Sequence, residues 1–139
     1  MKVRVHFVFN GSARAALEFY KQVFNAEVKE IISYDDAKEM CDFSQVPADQ
    51  MDRIACSKIA LSNQYEIHIC DQMSGEQLTM GNNVMVDIFE KEAARVEELY
   101  KNLSEGGNVI IPLAPVPWSP NYAMLTDRFG ITWEILQED

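Results

Sequence analysis

Hydrophobic and polar positions alternate at the N-terminus. Val3, Val5, Phe7 and Phe9 are interleaved with Arg4, His6 and Val8, the pattern of a half-buried strand. Asn10-Gly11-Ser12 interrupts it, with Ser12 placed as a helix N-cap. A helix is expected over 13–24, with Ala13, Ala16, Leu17, Tyr20 and Phe24 on its apolar face. Alternation returns over 27–34 (Val28, Ile31 and Tyr34 among charges), giving a second strand. Residues 35–51 have no clear period and read as an excursion with one short helical turn. Residues 54–61 and 65–70 form a hairpin about Ser62-Asn63-Gln64, and 71–81 is a polar linker containing Asp71, Ser74 and Gly75.

The plan then starts again. Residues 83–89 read as a strand and 91–103 as a helix with Ala94, Val96, Leu99, Tyr100 and Leu103 inward. Gly106-Gly107 stops the helix. Residues 109–113 form a strand, 114–120 a proline-rich loop, and 122–126 with 131–136 a last hairpin about a turn at Asp127–Gly130. A slide of 80 puts Phe9 on Phe89 and Tyr20 on Tyr100; a slide of 66 puts Ile67-His68-Ile69 on Trp133-Glu134-Ile135. Such an internal repeat dominates the choice of fold. Each half reads β-α-β-β-β, with modules at 1–71 and 82–139 joined by a linker at 72–81, in one domain spanning 1–139. The expected class is α+β: two βαβββ modules making a curved eight-stranded mixed sheet with helices outside and a concave face. A ferredoxin-like αβ sandwich is the alternative.

Composition changes this picture little. A chain of 139 residues with 47% hydrophobic residues suits one domain with a real core. Twelve basic against 22 acidic residues give a net charge of −10, a field that repels phosphate backbones and anionic lipid, so neither nucleic acid nor membrane is an expected partner. No apolar run approaches the roughly 20 residues of a membrane span, and the first residues read as a strand rather than a signal peptide, so a cytoplasmic location is expected. Cys41, Cys56 and Cys70 are odd in number and lack C-x-x-C spacing, which argues for free thiols rather than a disulfide framework or a cysteine zinc site.

"ARAALEFYKQVFNAEV" resembles the first helix of the vicinal oxygen chelate superfamily, which includes glyoxalase I, extradiol dioxygenases and the fosfomycin- and bleomycin-resistance proteins; Asn25 stands where that pattern usually has glycine. "TDRFGITWEI" is similar to its C-terminal turn and strand. "FNGSARAALEFYKQVF", "ICDQMSGE" and "PLAPVPWSPNYAMLTDRFGITWEI" resemble the PhnB-like subgroup most. The resemblance covers nearly the whole chain apart from 35–51. It implies a site whose ligands come from the first, fourth, fifth and eighth strands, commonly around one divalent metal. Carried over residue by residue, those positions fall on Val5, His68, Met85 and Glu134. Two are apolar, so the usual four-ligand metal site is expected to be absent, with His68 and Glu134 the ligands if any divalent metal is held.

His68 and Glu134 are then the candidate catalytic or polar pair in an apolar cavity, although an isolated strand histidine is more often structural. Val5, Tyr34, Met85, Trp118 and Tyr122 are the candidate ligand-binding residues. Trp133, on the face opposite Glu134, is expected to pack under a helix. PhnB-like proteins are often described as ubiquinone methyltransferases, but there is no glycine-rich strand-to-helix loop for a methyl donor here. The leading expectation is a homodimeric small-molecule-binding protein without the four-ligand metal site. The alternatives are a metal-dependent glyoxalase, dioxygenase or thiol-transferase type enzyme using His68 and Glu134, and a bleomycin-type drug-sequestering protein.

Overall fold

The N-terminal alternation becomes strand β1 (Val5–Phe9), and the periodic segment after it becomes helix α1 (Ala13–Phe24). They belong to a computed structural model that describes residues 1, 3–73 and 77–138. Ser12 occupies the N-cap but its side chain caps nothing. The helix start is instead held from a distant strand: a buried Asp71 carboxylate accepts from Gly11 N at 2.6 Å and Ala13 N at 3.1 Å, and from Ile54 N at 3.2 Å. At the other end Asn25 takes a left-handed conformation (φ 50°), one that asparagine tolerates nearly as well as the usual glycine.

The first unit continues with β2 (Glu27–Ser33), β3 (Ile54–Ala60) and β4 (Glu66–Asp71). Between β2 and β3 lies α2 (Tyr34–Ala37), a four-residue helix whose start is fixed by reciprocal Ser33 and Asp36 hydrogen bonds of 3.0 Å, and a 3-10 turn at Ala48–Gln50. The sheet runs β1-β4-β3-β2, with β1 parallel to β4 and the other pairs antiparallel. Phe7, Phe9, Ile59, Ile67 and Ile69 are buried with Ala16, Leu17 and Tyr20 of α1, which covers one face of the sheet. Phe7 and Tyr20 meet at 5.7 Å between ring centroids.

The second unit repeats the order: β5 (Val86–Glu90), α3 (Ala93–Ser104), β6 (Asn108–Val116), β7 (Ser119–Thr126) and β8 (Thr132–Gln137), in a sheet β5-β8-β7-β6 with β5 parallel to β8. Its core is Val96, Leu99 and Leu103 against Ala123, Leu125, Trp133 and Ile135. Trp133 is fully buried, on the helix side as its alternation with Glu134 requires, and its Nε1–H donates to Asp127 at 2.8 Å. The fold is therefore α+β, two βαβββ modules with eight strands in two four-stranded mixed sheets.

Two local expectations change. The proline-rich segment is no loop: β6 runs through Pro112 and Pro115 to Val116, and Pro117-Trp118 form a tight turn into β7. β6 lies at a sheet edge, where proline's missing N–H costs no ladder bond on the open side. The chain divides into compact units at 1–78 and 79–139, and Ser74 and Gly75 of the expected linker fall outside the described residues.

Candidate functional site

In each unit a helix covers one sheet face and leaves the other open, and strand register decides which side chains occupy the open face. In the first unit Val5 pairs with Ile67 and His6 with His68. Ile67 is buried under α1, so Val5 belongs with the helix-side residues and His6 shares the face of His68. Val5, expected among the cavity residues, therefore lies on the face opposite His68, and His6 is the β1 side chain beside it. Side-chain period in a strand is two, so a slip of one residue exchanges the faces. The two imidazoles stand edge to face with centroids 5.7 Å apart. Lys58 is His68's partner on β3 and is held by Glu30 at 2.5 Å. Arg4 and Glu66 form an ion pair of 3.3 Å one row away.

The His68 imidazole is half-buried, and its Nε2 is shielded from solvent with no hydrogen-bond partner among the described residues. Burial lowers its pKa, and the charges of Arg4, His6 and Lys58 lower it further, with Glu66 opposing. The ring is held neutral. A neutral imidazole with one unengaged nitrogen can take a ligand hydrogen bond or coordinate a metal.

In the second unit Asp87 pairs with Glu134, not Met85, which precedes β5 and is exposed. The β5 side chain level with Glu134 is therefore Asp87. The helices repeat at 80 (Ala13 to Ala93), whereas the strands repeat at 81 (His6 to Asp87), because the second strand-to-helix connection is one residue shorter. Burial raises the Asp87 pKa, and so do the neighbouring Glu134 charge and the hydrogen bond between the two carboxyls. Tyr122 donates its phenol proton to Glu134 Oε1; that bond, with burial behind it, pushes the phenol up to about 12. Trp118, mostly exposed at the β6–β7 turn, stands edge to face with Tyr122 at 5.8 Å. Beside it a cleft of about 390 Å³ is lined by Phe89, Trp118, Pro120 and Leu136 among others.

The family described as 3-demethylubiquinone-9 3-methyltransferase matches residues 1–136. The chain belongs to that family. Protein PA1353 from Pseudomonas aeruginosa is similar over 99% of this chain and 98% of its own, with 25% identity and a TM-score of 0.86. A PhnB protein from Bacillus cereus is similar over 99% and 100%, with 20% identity and a TM-score of 0.81. The fosfomycin resistance protein FosX from Listeria monocytogenes shares the fold at 13% identity, over 100% and 93%, with a TM-score of 0.64. No protein of curated function matches.

Against this PhnB-like frame, the residues named from sequence fall into separate groups. Glu134, Tyr122 and Trp118 come together on the second sheet. His68 lies on the first, with His6. Tyr34 is buried in the first unit's own packing: its hydroxyl donates to the Asp71 carbonyl at 2.7 Å and its ring meets Phe43 edge to face at 5.0 Å. His6, set on the opposite face when Val5 is read as the inward position, and Asp87, not singled out from sequence, both had a signal. Phe7 and Phe9 are buried, so the parity of β1 already placed His6 outward, and Asp87 in "VMVDIFE" is as anomalous in an apolar strand as Glu134.

Proposed function

We propose that this PhnB-like protein binds a small organic molecule on the open sheet face of its first unit, with His68 as the polar handle; the Asp87–Glu134–Tyr122 group is a separate polar handle on the open face of the second unit. The observation that carries this reading is the shielded, partnerless Nε2 of a neutral His68, since a buried polar atom left without a partner costs about 1–3 kcal/mol unless something fills the vacancy. Trp118 and Phe89, both largely exposed, supply apolar surface for a ligand of the second unit. The experiment is a small-molecule screen by thermal shift on the intact chain, followed by titration of each hit into His68→Ala and Glu134→Gln. Hits should bind these variants at least about tenfold more weakly. Undiminished binding to both would place the site elsewhere.

A second reading, a metal-dependent enzyme of the superfamily, is favoured by the corrected register. The four strand positions that the superfamily resemblance marks as ligand positions now carry His6, His68, Asp87 and Glu134, all ligand-capable, and the argument from apolar Val5 and Met85 falls away. A neutral imidazole and paired carboxyls suit a borderline or hard divalent ion. The first unit would offer such an ion His6 and His68 and the second unit Asp87 and Glu134, and the ion would supply a Lewis acid for substrate oxygens. Among the described residues no group of three or more His, Cys, Asp or Glu is gathered as a metal site. Saturating Ni²⁺, Zn²⁺, Mn²⁺ or Fe²⁺ should raise the Tm by linkage; a flat response to all four would sink this reading. The methyl transfer in the family's description is tested by the same hits: a quinone ring precursor should be among them if that chemistry applies.

A further inference from the structure

The first unit's open face carries a second set of chemical groups that neither reading uses. Lys58 lies in one row of the sheet, opposite Glu30 on β2 and His68 on β4. Two residues along, Cys56 is the partner of Ile32 on β2 and Cys70 the partner of Val8 on β1. The β3–β4 register, Lys58 with His68 and Ile59 with Ile67, continued two residues beyond Lys58 sets Cys56 opposite Cys70 in the next row. The hydrogen bond from Ser57 Oγ to the Ile69 carbonyl, 2.6 Å, ties the two strands at that level. Residues directly opposite on antiparallel strands have Cβ atoms about 4.5–5.5 Å apart, within the span one ion can bridge through two sulfurs. Both thiols are free and half-buried. The row is closed at its ends by Val8 and Ile32, two apolar side chains.

We propose that Cys56 and Cys70 form a two-thiolate site for a soft monovalent metal ion of the Cu(I) or Ag(I) type. Thiolate selects soft ions over hard ones, and the apolar row offers no oxygen ligand to a competitor. Coordination number decides between the soft ions. Zinc wants four ligands, and no cluster of three or more His, Cys, Asp or Glu exists among the described residues, whereas a closed-shell monovalent ion is satisfied by two sulfurs in line. In the binding step two S–H bonds break and two metal–sulfur bonds form. Both protons pass to solvent and no electron moves. The chain positions are 14 apart (70 − 56), on the two arms of a hairpin, so no short cysteine motif announces the pair.

The test is a Cu(I) titration of the intact chain under anaerobic, reducing conditions against a chromogenic Cu(I) chelator. Wild type should withdraw one equivalent from the chelator, and Cys41→Ser should do the same. Cys56→Ser and Cys70→Ser should each withdraw none. X-ray absorption of the wild-type complex should show sulfur and no oxygen neighbours, which checks the site even if a serine variant fails to fold. His68→Ala should keep the full equivalent, so failure here leaves the small-molecule reading untouched. Retention by either serine variant, loss in Cys41→Ser, or oxygen ligation at the metal would overturn the proposal.

Discussion

At the residue scale, two electrostatic arrangements are costly to the fold and useful for binding. Asp87 and Glu134 stand directly opposite each other on parallel strands, and the phenol of Tyr122 donates to Glu134. Like charges directly opposite are destabilising, by about 0.2–1 kcal/mol. Asp87→Asn removes the repulsion and keeps the hydrogen bond, so it should raise stability by about that amount at pH 7, read from the urea midpoint at unchanged slope. The gain should vanish below about pH 4, where an ordinary aspartate is protonated. The sign follows from the raised pKa: the folded state holds its proton longer than the unfolded one, and stability is lost as pH rises through the folded pKa. A loss of stability at neutral pH would contradict the carboxyl pairing. His68 has the opposite sense. Its pKa is lowered, so the unfolded chain binds a proton that the folded one refuses, and its contribution is present above about pH 6.5 and lost as pH falls below. Burial sets that shift first, the charges of Arg4, His6 and Lys58 add to it, and Glu66 opposes it. His68→Gln should flatten the fall in stability between about pH 7 and pH 5, and an unchanged acid limb would show that His68 is not the titrating group.

At the element scale, termini and turns are held by tertiary partners rather than by their own residues. Helix α1 starts where Asp71, at the end of β4, accepts from Gly11 and Ala13, while Ser12 leaves its hydroxyl uninvolved in the cap. Asp71→Ala strips a buried acceptor from three backbone N–H groups and should cost about 2–4 kcal/mol by chemical denaturation. Ser12→Ala should cost less than about 0.5 kcal/mol, the reverse of what a helix-start rule applied to the sequence would give. Likewise Gly107 leaves α3 so close to the next hairpin that an added Cβ would lie 2.3 Å from the Thr126 carbonyl oxygen. Gly107→Ala should destabilise the second unit through that backbone clash, and a neutral result would mean the connection can shift. Most elements were legible. The period over 13–24 gave α1 to the residue, and the hairpin about Ser62–Gln64 formed as read. Over 114–120 the prolines Pro115, Pro117 and Pro120 look like strand breakers and end the expected strand at 113, but β6 runs on to Val116 because its edge position makes Pro115 harmless.

At the scale of the whole molecule, charge is the dominant long-range term. A net charge of −10 on 139 residues self-repels, and added salt screens interactions beyond roughly 10 Å at 0.1 M. Raising NaCl from about 10 to 300 mM should raise the Tm by a few degrees, and a falling Tm would show that the ion pairs Lys58–Glu30 and Arg4–Glu66 outweigh the repulsion. Among the described residues no helix is long and apolar enough to cross a membrane. The sequence by itself determined the βαβββ repeat, because burial on a helix or sheet face leaves its period in the order of residues. It also singled out His68 and Glu134, because a polar side chain inside an apolar strand breaks that period visibly. Which residues accompany them was settled only in three dimensions. Register is fixed by hydrogen bonds between strands far apart in the chain, and a repeat counted on the helices runs one residue out of step with the repeat of the strands. One residue turns a strand over, so Val5 gave way to His6 beside His68 and Asp87 emerged beside Glu134.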